Sequence, residues 1–272
     1  MMKTIAVANQ KGGCGKTTTA INLAASLGQQ GERVLLIDMD AQAHATLGLG
    51  KCGSELYTLY DVFTGCKSIR DVIVHNVQPN LDLLPGSMSL VMAEHQLSIT
   101  KEDDLDNYLD PLDVSYDYLI IDCPPALGRL SINALLAADE VLVPIEMSLF
   151  SLDGIERLCE TMEQLESRRR MRLPFKVLPT MVDNRTKLCR MFLRKIWERF
   201  PDNVLPIMIH NTVRVKESVC YSLPVARYDA NSAASIDYDK LAAHYIHTAL
   251  PEFVPKEQDY NVEPEYLSCA TV

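Results

Sequence analysis

The chain has 272 residues, 47% hydrophobic and 23% charged, which supplies a core for one large or two small globular units and excludes disorder or fibrous repeats for its bulk. No run approaches the roughly 20 apolar residues that cross a bilayer, and Met1-Met2-Lys3-Thr4 enters a short apolar strand without a signal-peptide core, so the sequence reads as cytosolic. A formal net charge of −10 confines any nucleic-acid contact to a local patch, and the 8 cysteines include no C-x-x-C pair, which excludes a zinc ribbon, an iron–sulfur cage or a dithiol site in favour of reduced thiols.

In chain order, apolar runs predict strands over Thr4–Asn9, Arg33–Asp38, Leu81–Pro85, Tyr118–Asp122, Glu140–Ile145, Phe175–Val182 and Val204–Ile209. They are short, continuous and rich in Val, Ile and Leu, as parallel strands covered on both faces are. Helical periodicity lies between them. Ala20, Leu23, Ala24 and Leu27 share one face of a helix that stops at Gly28 and Gly31, and Ile155, Leu158, Met162 and Leu165 repeat the spacing. The alternation predicts an α/β fold: a twisted, mainly parallel sheet with helices on both faces. Residues 1–250 read as one unit. The remainder, 251–272, carries Glu252, Glu257, Asp259, Glu263 and Glu265 against Lys256 and reads as a flexible acidic tail.

The segment Asn9-Gln10-Lys11-Gly12-Gly13-Cys14-Gly15-Lys16-Thr17-Thr18 follows the first strand and opens the first helix. That is the setting of a phosphate-binding loop, in which glycines turn backbone N–H groups toward an oxygen-rich anion. Lys16 is placed to reach β- and γ-phosphates and the Thr17 hydroxyl to ligate Mg²⁺. Lys11 puts a second cation beside the same phosphates, where charge stabilisation carries most of the catalysis. Asp38 and Asp40 end a strand two residues apart and point to one side, at the carboxyl end of the sheet where α/β ligands bind. Asp38 also has a plainer reading as a cap or loop carboxylate. Cys14 reads as a tolerated side chain in a loop whose charge would otherwise activate a thiol.

Lys-Gly-Gly-x-Gly-Lys-Thr-Thr resembles the deviant Walker A loop of the ParA/MinD ATPases. Val34 to Gln42, with Asp38 and Asp40, is similar to that family's second acidic motif. Tyr118 to Pro125, with Asp122, resembles its Walker B strand, and Val213 to Ser218 with Pro224 resembles its C-terminal loop. The matches run from residue 4 to about residue 249 and leave out only the tail. The resemblance implies a P-loop NTPase that uses ATP and Mg²⁺ and forms a homodimer in the ATP state, with Lys11 crossing to the partner's phosphates. It assigns the nucleotide to Lys11, Gly12, Gly13, Cys14, Gly15, Lys16, Thr17 and Thr18. Catalysis falls to Lys11, Lys16 and Asp40, the last orienting the attacking water, and the metal side to Thr17, Asp38 and Asp122. Relatives often carry Ile-Pro-Arg-Asn at the adenine pocket, where this chain has Ile209-His210-Asn211-Thr212, so His210 and Thr212 are the candidate base contacts.

From Arg185 to Arg199 the chain turns basic, with Lys187, Arg190 and Arg194 predicted on one helix face and Leu188, Met191, Phe192 and Ile196 on the other. A solvated basic face is the plain reading. By resemblance, Asp183-Asn184-Arg185-Thr186 and the segment bearing Arg214 and Lys216 mark non-specific double-stranded DNA binding, with Arg185, Lys187, Arg190, Arg214 and Lys216 on phosphates. The arginine run from Arg168 to Arg172 is explained by a helix C-terminus, and His244 and His247 lack the further ligands of a metal site. The implied role is a partition ATPase, cytoplasmic and nucleoid-associated, that positions a chromosome, plasmid or other cargo with a ParB-like centromere-binding protein or cargo adaptor. The alternative, a MinD-like membrane-associated regulator of division, requires a basic amphipathic C-terminal helix, whereas this tail is acidic and proline-broken and offers no stable membrane anchor. An iron–sulfur carrier would need paired cysteines that Cys123 does not supply.

Overall fold

A computed structural model of the chain describes residues 2–53, 56–96, 105–112, 115–148, 151–169 and 172–247; the expected acidic tail lies outside them. Seven strands form one sheet: β1 Lys3–Val7, β2 Val34–Asp38, β3 Val74–Gln78, β4 Leu81–Leu84, β5 Tyr118–Asp122, β6 Glu140–Glu146 and β7 Phe175–Thr180. Their spatial order is β3-β4-β2-β5-β1-β6-β7, and every pairing is parallel except β3 with β4. Connections leave the central β1 toward both edges, so the loops after β1, β2, β5 and β6 meet at one crevice.

Side chains of each inner strand alternate between two apolar cores, one per face. Ile5 and Val7 join Leu36, Ile120 and Leu142 under helices Lys16–Gln29 and Ala233–His247, through Leu23, Leu27, Tyr238 and Leu241. Ala6, Leu35, Ile121 and Val143 face the other way, toward Leu130 and Ala134 of helix Arg129–Ala137 and Ile155, Leu158 and Met162 of helix Ser151–Arg169. Each Leu or Ile at zero exposure adds on the order of 1.5–3 kcal/mol, so these faces fix the register of the strands that carry the site.

Two expectations are corrected and one strand is added. The run Val204–Ile209 is not a strand. It follows β7 through isolated bridges Val177↔Val204 and Val182↔His210, because Pro206 has no N–H to continue a ladder. The edge strand β3 lies outside the expected strands: Val77 is its one buried residue, Asn76 at its centre is left-handed, and left-handed Asn80 lies in the turn into β4. The expected C-terminal loop carrying Arg214 and Lys216 is instead a helix, Val213–Cys220, with Thr212 as its cap.

Candidate functional site

The phosphate loop leaves β1 at the centre of the sheet. Gly13 (φ 77°) and Gly15 (φ 91°) are left-handed, a conformation glycine adopts without steric cost, and Gly15 is the residue from which helix Lys16–Gln29 starts. Asn9 braces the entry. It is buried, its amide donates to the Pro144 carbonyl at 2.8 Å, and its side-chain oxygen accepts from the Lys11 N–H at 3.1 Å. Helix Ser151–Arg169 comes so close here that a Cβ on Gly154 would stand 2.8 Å from that oxygen. Lys16 is buried and donates to the Lys11 carbonyl at 3.1 Å across the loop. The Lys11 ammonium lies on its own chain, donating to Glu146 and, at 2.6 Å, to the Ser148 hydroxyl, with Ser151 at 3.4 Å. Cys14 packs inward with its thiol 3.2 Å from the Lys11 carbonyl. Burial raises that thiol's pKa against the pull of Lys16, so it is a packed, neutral side chain.

Three carboxylates face the loop. Asp38 and Asp122 are register partners on adjacent strands β2 and β5, both at zero exposure. Asp38 is engaged: Oδ2 accepts from the Thr46 N–H at 2.8 Å and the Thr46 hydroxyl at 2.7 Å, and Oδ1 from the Asp40 N–H at 3.2 Å. It thereby clamps the turn Asp40–Ala43 and the short helix His44–Gly48. Thr46 Oγ1 in turn accepts from the Gly86 N–H at 2.9 Å, and Gly86 lies so near that a Cβ would stand 2.7 Å from the Asp38 carbonyl. Neither oxygen of Asp122 has a hydrogen-bond partner. Burial raises its proton affinity well above the usual carboxylate range and Asp38 adds to this; the Thr17 hydroxyl, close by but outside hydrogen-bond geometry, and the Lys16 ammonium oppose it. Burial likewise raises Asp38, against its bonds to Thr46. Asp40, 8% exposed, accepts from the Gln42 N–H at 3.0 Å. A cavity of about 440 Å³ opens beside Thr17 and Thr18, walled by Ile21, His44, Leu47 and Val219.

The remaining candidates gather at the carboxyl end of β7. The His210 ring donates through Nδ1 to Asp237 at 2.8 Å, its backbone N–H binds the same carboxylate oxygen at 2.9 Å, and the Thr212 hydroxyl accepts from the Arg214 N–H at 3.3 Å. Helix Lys187–Arg199 is capped by Thr186 and buries Cys189, Phe192, Leu193 and Ile196. Of the predicted apolar face, Phe192 and Ile196 are buried and Leu188 is 57% exposed; Cys189 and Leu193 complete the buried side. Arg185 forks onto Asp183 at 2.8 and 2.7 Å and holds that carboxyl down to about 2. Arg190 donates to the Asn184 carbonyl, and Arg214 is shared between Glu217 and Asp229. Lys187 and Lys216 form no ion pair among the described residues. Sequence reasoning did not single out Asn9, Thr46, Glu146, Ser148, Thr180 or Asp237, whose partners lie far along the chain or look like ordinary helix and loop residues.

Comparison with known proteins follows the same lines. A sequence profile described as an AAA domain matches residues 2–175. Over 246 residues, 89% of this chain and 97% of the relative, it is 38% identical to the sporulation initiation inhibitor protein Soj of Bacillus subtilis (strain 168). It is 39% identical over 251 residues to the chromosome partitioning protein ParA of Caulobacter vibrioides, covering 90% of this chain and 94% of that one. A crystal structure of cobyrinic acid a,c-diamide synthase from Mycobacterium smegmatis with bound ADP and magnesium superposes with a TM-score of 0.79 at 31% identity, covering 94% of this chain and all of the other.

Proposed function

The chain belongs to the ParA/MinD family of partition ATPases, and from that membership we propose that it hydrolyses ATP, pairs as an ATP-bound homodimer, holds duplex DNA irrespective of sequence, and lets go when a ParB-like centromere-binding protein or another cargo adaptor speeds hydrolysis. The supporting observation is the buried Asp122, its two oxygens unpartnered, beside a loop whose left-handed glycines and two lysines are built for phosphates.

Two buried carboxylates side by side on adjacent strands are unfavourable without a cation. Asp122 and Thr17 fit a magnesium ion as direct or water-mediated ligands, with Asp38 stabilising the same side through the turn it clamps. Bound there, Mg²⁺ supplies charge neutralisation for the β- and γ-phosphates. The N–H groups from Gly12 to Thr18 cradle the phosphates, and Lys16 stabilises the charge that develops as the bond to the leaving ADP breaks. Asp40 orients the water that attacks the γ-phosphorus, giving ADP and inorganic phosphate. His210 and Thr212 border the base. Lys11 acts across the dimer, which requires it to leave Glu146 and Ser148.

Backbone-only DNA contact needs cations on phosphates and no base readers, which is what Arg185, Lys187, Arg190, Arg214 and Lys216 offer on segments that leave one corner of the sheet. This reading makes the protein nucleoid-associated. Phosphate release and particle mass, measured with ATP or ADP and with or without duplex DNA, test it. Dimer and DNA retention in ATP alone are the expected results; a monomer that releases no phosphate in Mg²⁺ and ATP refutes the proposal.

A further inference from the structure

The end of β7 joins two places that the proposed function uses together. Thr180, its last residue, is buried, and its hydroxyl donates to the Cys14 carbonyl inside the phosphate loop at 2.8 Å. Met181 follows at φ 54°, a left-handed backbone uncommon for a long side chain, and it rests on the loop: a Cβ on Gly15 would meet its Cε at 3.8 Å. Val182 is then pinned to the segment 209–211, its N–H donating to the Ile209 carbonyl and its carbonyl accepting from the Asn211 N–H, each at 3.0 Å. Past Val182 the chain turns into helix Lys187–Arg199; past Asn211 it enters helix Val213–Cys220. One loop carbonyl thus leads, through two residues, to the root of both basic segments.

That carbonyl is not independent of ligand binding. The peptide group is planar, so the Cys14 carbonyl and the Gly15 N–H turn as one unit. Phosphate loops capture anions with such N–H groups. An anion that takes the Gly15 N–H therefore reorients the oxygen that Thr180 holds, and the pull arrives at Met181, the strained residue of the path.

We infer that Thr180 and Met181 form the joint by which the occupancy of the phosphate loop sets the position of the two basic segments. Thr180 is a positioning residue acting through the Cys14 carbonyl, and Met181 is the hinge that yields. The inference rests on the reading that this loop binds ATP, and it deepens the reading that DNA is held in the ATP state by naming the route.

Amide hydrogen exchange on the full chain, without nucleotide and at saturating Mg·ATP, tests the joint without requiring DNA. Peptides from 182–199 and 211–220 should exchange differently in the two states in the wild type and in Thr180→Ser, which keeps the donor. In Thr180→Val, which keeps the shape and loses the donor, that difference should shrink by about 5-fold or more, while the phosphate-loop peptide still reports bound nucleotide. An undiminished difference in Thr180→Val, or none in the wild type, overturns the inference. Should Thr180→Val fail to fold, Met181→Gly decides, since it keeps every backbone hydrogen bond and relieves the left-handed strain: the difference should shrink there too, and its persistence overturns the hinge. Gel shifts on duplex DNA separate the two readings. ATP-dependent exchange without ATP-dependent DNA binding leaves the joint standing and removes the DNA reading; ATP-dependent DNA binding with an undiminished exchange difference in Thr180→Val does the reverse.

Discussion

At the carboxyl ends of β2 and β5 the charged groups are out of water: Asp38 and Asp122 have no exposed surface and Lys16 has 7%. At the end of β7 they are in it, with the Arg185 side chain 89% exposed and that of Arg214 47%. Inside, each charge is worth much and depends on named neighbours, so one substitution there has no substitute nearby. Outside, water screens each cation, the carboxylates of Asp183, Glu217 and Asp229 compete for them, and their effect on a polyanion is close to a sum.

Substitutions graded from the buried region to the exposed one measure this contrast. Asp40→Ala should lower phosphate release by roughly 10²–10⁴-fold while ATP-bound dimer persists in sizing runs; unimpaired turnover would pass the role to Asp38. Lys16→Ala should weaken ATP by about 10²–10³-fold, read by titration of a fluorescent analogue, and a near-wild-type constant would mean that the buried lysine does not face the phosphates. Thr46→Val leaves the Gly86 N–H without its acceptor and Asp38 with one bond fewer, so unfolding in denaturant should show a loss of about 1–3 kcal/mol. At the exposed corner, Arg185→Ala with Arg214→Ala should flatten the plot of log affinity for duplex DNA against log salt by about 2 per chain and leave dimerisation intact. Lys187→Ala alone should change that slope by about 1; a single substitution that abolished DNA binding would show that the corner is not additive.

The buried region was the more legible of the two. Glycines, lysines, Thr17 and the carboxylates stand in contiguous runs next to unbroken apolar strands, so position along the chain reports position in space. What holds those residues was not legible. Glu146 is 135 residues from Lys11, Thr180 is 166 from Cys14, and Asp237 is 27 from His210. Such pairs are chosen by sheet order, which periodicity does not encode. The strands that differ from expectation are peripheral, where burial no longer enforces a pattern: β3, Val-His-Asn-Val-Gln, buries only Val77, and Val204–Ile209 is apolar yet interrupted by Pro206. On helix Lys187–Arg199 hydropathy favours Leu188 as an inward residue, whereas it is exposed and Cys189 packs with Val182 and Leu193 instead.

The two borders of the sheet bear on solubility. Beyond β4 the last strand runs antiparallel, with a register irregularity between Val74 and Gln78 and left-handed Asn76 at its centre. Beyond β7 the neighbouring segment touches at isolated bridges and is broken by a proline. Neither border offers a flat row of free N–H and C=O groups on which a further strand can grow. Edges of this kind resist growth of a continuous backbone ladder onto a second copy, the pairing that leads to aggregates.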